Sequence, residues 1–241
     1  MREMDGVATR GTAQGAASVL VASLTFVLLT TLAMLQYPGG SKYELHSHHY
    51  LFFENFLSDL GATKTYAGFS NTSSCVLFII SMTCVGLSLL AFSGSWHAIA
   101  ERRGIEVRAA WVFKWRALAS GLCFVAVGAT PPNVFRNAHD FFARAAFSLL
   151  LVFVLAVLAV QRRNRWPWRY VLANVLFVAV LAAFAAVLLG GPSLETHRTL
   201  VIQVTAQKIM VYGAILNLGY QAYGVRRALA PTRAVLRVVH S

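Results

Sequence analysis

Three short stretches of this chain set a histidine next to a carboxylate: Glu44 and His46, His139 and Asp140, and Glu195 and His197. Histidines and carboxylates that converge can bind zinc, which activates a bound water for hydrolysis. His48 and His49 follow His46, so the candidate metal ligands are His46, His48, His49, His139 and His197. The candidate acid–base groups are His139, Asp140 and Asp59. No HExxH spacing strengthens the metal reading. Polar residues also gather in wet loops for no chemical reason, and that is the simpler account of these histidines. It requires no cofactor; zinc belongs to the hydrolytic alternative.

Lys208 is a different case. It follows Gln203 and Gln207 inside the apolar run 199–223, and Tyr212 lies one turn on. A charge in the middle of a bilayer costs at least about 2.5–3.5 kcal/mol on insertion scales, so it faces a cavity or a partner. No other apolar run holds a central carboxylate. The counter-charge is therefore expected from a loop above, from Asp59, Glu54 or Asp140, or from a lipid phosphate. The competing reading is that Lys208 snorkels along its own helix to the interface. These residues define a candidate ligand pocket of Lys208, Asp59, Glu54, Ser58, Gln207, Tyr212 and His139.

The elements that position these groups are transmembrane. The chain has 241 residues, 57% hydrophobic and 12% charged, with mean hydropathy +0.61. Soluble domains carry about 25% charged residues. Runs of about 20 apolar residues cross a bilayer as helices. Six such runs are present, near 17–36, 72–93, 109–130, 141–160, 169–190 and 199–223. The spacing predicts an all-α membrane domain over 17–223, a flexible tail over 1–16 and a basic tail over 224–241. The first run is longer than a signal-peptide core and is expected to stay attached. Cys75, Cys84 and Cys123 fall within the second and third runs and are read as small buried apolar residues.

The net charge of +12 would suggest nucleic acid in a soluble protein, but here its distribution gives orientation. Arg2, Arg10, Arg102, Arg103, Arg108, Arg162, Arg163, Arg165, Arg169, Arg226, Arg227, Arg233 and Arg237 all fall on one side of the six runs. Short loops rich in Lys and Arg stay cytoplasmic. Both termini are therefore expected inside, the basic loops against anionic inner-leaflet lipid, and 37–71, 131–139 and 191–198 outside. No nucleic-acid partner is expected.

The outer stretch 37–71 is long for a loop, and long loops usually have structure or function. Pro38, Gly39 and Gly40 open it with turn chemistry. At 100° per residue, Phe52, Phe53, Phe56, Leu57 and Leu60 share one arc, and Glu54, Asn55, Ser58 and Asp59 the other. The pattern predicts a short amphipathic helix over 52–60, with Gly61 as its left-handed cap. Ser70, Asn71 or Thr72 would cap the second span. Asp140 and Arg144, spaced i, i+4, are read as a helix pair.

The element Ser58-Asp59-Leu60-Gly61 in "NFLSDLGATKTYAGFSNTSS", His139 in "NVFRNAHDFF" and Lys208 in "AQKIMVY" together resemble a bacterial and archaeal six-span membrane family, domain of unknown function 998. That family is similar to the FRAG/DRAM/SFK superfamily of eukaryotes. The resemblance implies six spans and a place in the cytoplasmic membrane of a prokaryote. The eukaryotic relatives are tied to lipid-anchor remodelling, phosphoinositide organisation and autophagy, which implies lipid handling. The run His46, His48, His49 is not part of the pattern. The function expected is binding or organising a membrane lipid or amphiphile in an outward-facing polar pocket. The alternatives are a membrane-embedded metal-dependent hydrolase or transferase acting on lipid, and a small-molecule transporter. A haem b protein would need histidines within the spans, and a retinal protein a seventh span; neither is present.

Overall fold

The computed structural model describes residues 2–102, 107–190 and 194–229. It contains six α-helices: α1 (Arg2–Gln36), α2 (Thr72–Arg102), α3 (Val107–Ala129), α4 (Arg136–Arg163), α5 (Trp168–Gly190) and α6 (His197–Leu229). Among the described residues there is no strand, only an isolated bridge between Lys64 and Ser70. Among the described residues, five helices are long and apolar enough to cross a membrane, namely α1, α2, α4, α5 and α6. α3 is 23 residues long, and its described side chains, over Trp115–Ala129, form an apolar stretch. This is the build of a multi-pass membrane protein, in which helices satisfy their own backbone hydrogen bonds.

The expected spans fall inside these helices, apart from residue 130 just past the end of α3, but most of the helices run further. α1 begins at Arg2, so the stretch read as a flexible tail continues the first helix. It contains no proline, and Gly6, Gly11 and Gly15 cost a helix only about 1 kcal/mol each. At the other end α6 reaches Leu229, and the basic tail with Arg233 and Arg237 lies outside the described residues. α4 starts at Arg136, a turn earlier than expected. Asp140 therefore pairs with Arg136 (3.2 Å, both partly exposed) and not with Arg144.

The helices form a closed ring. Each packs on the next in sequence, and α6 packs back on α1. Among the described residues, backbones across the ring barely approach one another, so its interior depends on side chains. In the half nearer the α4–α5 turn, Phe92, Trp96, Phe153 and Leu150 fill it. Phe92 meets Phe153 and Trp96 edge-on, with centroids 6.3 and 6.2 Å apart.

At that end a cycle of buried amides joins α4, α5 and α6. The amide nitrogen of Gln161 donates to Gln221 (2.7 Å), that of Gln221 to Asn217 (3.3 Å), that of Asn217 to Asn174 (2.9 Å) and that of Asn174 to Gln161 (2.9 Å). Gln221 also donates to the Tyr170 carbonyl (2.9 Å). Side-chain hydrogen bonds between membrane helices contribute roughly 0.6–2 kcal/mol each. The cycle is thus a clamp of several kcal/mol on three helices.

Candidate functional site

The loop 37–71 folds into a plug over the other end of the ring. Gly39 and Gly40 adopt φ of +110° and +90°, which only glycine reaches without strain, and turn the chain back across the bundle. The expected amphipathic helix does not form. The carbonyl of Leu51 accepts the backbone N–H groups of Glu54 and Asn55 (2.9 and 2.8 Å), and the Asn55 side chain accepts the Leu51 N–H (3.0 Å). Asparagine here competes with helix by bonding its own backbone neighbourhood. Phe56 is extended, and a single 3-10 turn follows at Leu57–Gly61. The Asp59 carboxylate accepts the Phe56 N–H (2.8 Å) at the start of that turn.

Burial is correspondingly inverted on part of the predicted arcs. Phe52 and Phe53 are exposed (43% and 58%), whereas Asn55 and Asp59 are buried (0% and 7%) with Leu57 and Leu60. Gly61 is not left-handed; the turn ends on Ala62 in extended geometry. A Cβ on Gly61 would lie 2.5 Å from Cδ1 of Phe78, so the glycine permits the turn to sit on α2.

Hydrogen bonds tie the plug to the ring on several sides. Asn71, at the N-cap position of α2, donates to the carbonyls of Leu60 (3.2 Å) and Ala62 (2.8 Å), and Ser74 donates to Leu60 (3.1 Å). Asn133 accepts the Thr63 N–H (2.9 Å), and Gln207 accepts the Leu57 N–H (2.8 Å). Lys42 and Tyr43 both donate to the Leu194 carbonyl (2.7 and 3.1 Å).

Lys208 is 3% exposed and does not reach lipid. Its amine donates to the carbonyl of Asn55 and lies 5.3 Å from the Tyr50 ring centre and 4.9 Å from that of Phe52. Asn55 connects it to Asp59: its amide nitrogen donates to Gly40 (3.0 Å) and to Asp59 (3.4 Å). Burial lifts the Asp59 carboxyl to about 6, against the opposing pull of the Phe56 N–H, the Asn55 amide and the Lys208 charge. Burial likewise pushes the Tyr50 phenol up and keeps it a donor to the Asn55 carbonyl (3.0 Å). Glu54 turns away from Lys208 to Ser41 (2.8 Å) and His197 (3.0 Å). Burial alone would raise its carboxyl, but the bonds from His197 and Ser41 outweigh it and hold the group below its usual range. Lys208, Asp59 and Glu54 thus anchor the plug.

Beneath the plug is an apolar chamber. Its cavity volume is about 70 Å³, room for several waters. Ser58, His139 and Gln207 line its plug end, and Leu150 and Leu218 mark its far end. Gln207 to Leu218 is roughly 16 Å of α6 at about 1.5 Å per residue. Of the predicted pocket, these three residues line the chamber; Lys208, Asp59, Glu54 and Tyr212 do not. Tyr212 packs edge-on against Phe26 (6.5 Å).

His139 is buried, with Nδ1 2.7 Å from the Thr130 carbonyl. A carbonyl only accepts, so Nδ1 carries the proton. Asp140, about 100° further round the helix, faces Arg136 and not the imidazole. Ser58, His139 and Gln207 are the polar side chains among the lining residues, and the Gln207 amide oxygen is already taken by the Leu57 N–H.

The other candidate histidines do not join them. His46, His48 and His49 are exposed on the plug, and His197 is committed to Glu54. Among the described residues no three His, Cys, Asp or Glu side chains come close enough to hold a metal. The amide cycle went unread in the sequence, although Asn217 and Gln221 at i, i+4 within an apolar run were a legible signal.

Comparison of the chain with protein-family models, curated proteins and solved structures gives no match.

Proposed function

We propose that this chain is a six-span membrane protein that holds one hydrocarbon chain of an amphiphile inside its helix ring. α3 completes the sixth span, both termini lie in the cytoplasm, and the plug faces outward. The cation asymmetry supports this orientation. The basic loops then rest on anionic inner-leaflet lipid.

The chamber is the single observation that carries the reading. Its walls are apolar over roughly 16 Å, about half of the ~30 Å hydrocarbon core. That is the depth of one leaflet, and so of one acyl chain. An apolar cavity repels water and stays dry unless an apolar ligand fills it. Polar lining side chains occur only at the plug end, on Ser58, His139 and Gln207, where a head group would sit. The hydrolytic reading has Ser58 and His139 in its favour, but no carboxylate orients the imidazole.

Native mass spectrometry of gently extracted protein tests the proposal. Wild type should carry one lipid or fatty acid per chain. Ala214→Trp, which fills the chamber from α6, should lose it while keeping its helical content. Wild type without bound lipid, or Ala214→Trp with the same bound lipid, contradicts the reading.

A further inference from the structure

We infer that the chamber is entered sideways from the bilayer, through a cleft between α4 and the α5–α6 pair, and that the lipid's acyl chain slides in by this route. The inference rests on the proposed lipid binding and adds where the ligand comes from.

The wall on this side is a wedge. At the α4–α5 turn it is closed: Gln161 on α4 bonds both Asn174 on α5 and Gln221 on α6. Trp166 and Tyr170 pack beside them, Tyr170 against Tyr220 with centroids 4.8 Å apart. Towards the plug the wall thins. The buried residues of α4 crowd into its far half, Leu150, Phe153, Val154, Val157, Val160 and Gln161, and only His139 and Ala146 precede them. α5 repeats the pattern. Its buried stripe is Tyr170, Asn174, Phe177 and Leu181, and from 182 to 187 every residue is exposed or half-buried.

The chamber sits behind the thin part. Among the described residues α4 and α6 both line it, α5 contributes no lining residue, and the backbones of α4 and α6 barely approach one another. Of its lining residues towards the plug on these two helices His139 is buried, but Ala143 and Phe147 on α4 and Gln207 and Val211 on α6 are only half-buried. On the opposite side α1, α2 and α3 pack closely along their lengths. The plug closes the axial route, since it bonds α2, α6 and the α3–α4 connection at once.

The position of the cleft selects its occupant. Beside it the outer surfaces of α4 and α6 are apolar, with Phe141, Leu155 and Ile209 exposed. No charged side chain lies among the lining residues. A water-soluble ligand would meet an apolar slot, whereas a bilayer acyl chain already lies in register with it. The amide cycle is the fixed end about which the two walls part.

A reversible bridge across the cleft tests this. Ala143→Cys and Val211→Cys are combined in a chain whose Cys75, Cys84 and Cys123 are serine, reconstituted in phosphatidylglycerol nanodiscs. Bifunctional methanethiosulfonates of graded length then bridge the pair. Native mass spectrometry follows replacement of bound lipid by deuterated phosphatidylglycerol. Bridged protein should keep its lipid but exchange it about tenfold more slowly or less, an off-rate effect, and reduction should restore the rate. Equal exchange with and without the bridge overturns the side entrance and leaves binding intact. So does failure of every reagent length to join the two positions. Absence of lipid from the unbridged protein instead defeats the proposed function.

Discussion

Replacing Asp59 with asparagine separates two accounts of the buried plug. In one, burial dominates and the carboxyl resists ionisation. In the other, the Lys208 charge dominates and stabilises the carboxylate. The structure favours burial: the folded-state value is about 6 against 3.8 for a free side chain. An acid whose folded value is raised binds more protons folded than unfolded between those two values. Stability therefore falls as pH rises through that window and stays reduced above it. A rise of about two units at 1.36 kcal/mol each makes the loss about 3 kcal/mol between pH 4 and 7. Asp59→Asn carries no titrating group and escapes the loss. Its stability relative to wild type should thus climb by about 3 kcal/mol over this range, roughly 6–12 °C in Tm for a chain of this size. Differential scanning fluorimetry of both proteins in one detergent measures it. Titrating groups that do not interact with Asp59, Glu54 included, cancel in the difference. A difference independent of pH, or one that moves against the variant as pH rises, would refute burial as the dominant effect.

Three further outcomes are expected. Gly61→Ala should destabilise by about 1–3 kcal/mol through collision with Phe78, and adding Phe78→Leu should recover part of the loss in a thermal melt, because no left-handed strain is involved. Lys208→Met removes the charged donor to Asn55, worth about 1.5–3 kcal/mol, and should speed hydrogen exchange at the Leu57 amide; a variant as protected as wild type would return Lys208 to simple snorkelling. His48→Ala should change stability by less than about 0.5 kcal/mol in the same melts, since the side chain is exposed.

The helices were legible because hydrophobic run length is a local property, and each apolar run marked one of them. The 52–60 segment was misread for a reason equally local. The periodicity of its five large apolar residues is helical, but Asn55 and Asp59 bond the adjacent backbone and divert the chain into a turn. A hydrophobic pattern does not register that competition. Lys208 and Asp59 were singled out because a buried charge is costly in lipid, a rule that needs no structure. Their task could not be read that way. Whether a buried amine meets a ligand or a carbonyl depends on where a loop 150 residues away lands, and here the Asn55 carbonyl reaches it first. The chamber was illegible for the same reason: it is space left between helices, set by which neighbours fail to touch.

An experimental map of the protein in lipid nanodiscs, resolved well enough to show side chains, tests the central claim most directly. Elongated density should begin beside Ser58, His139 and Gln207 and run along α6 to Leu218. A chamber collapsed so that Phe147 and Val211 meet, or one holding only isolated water-like peaks, would contradict it.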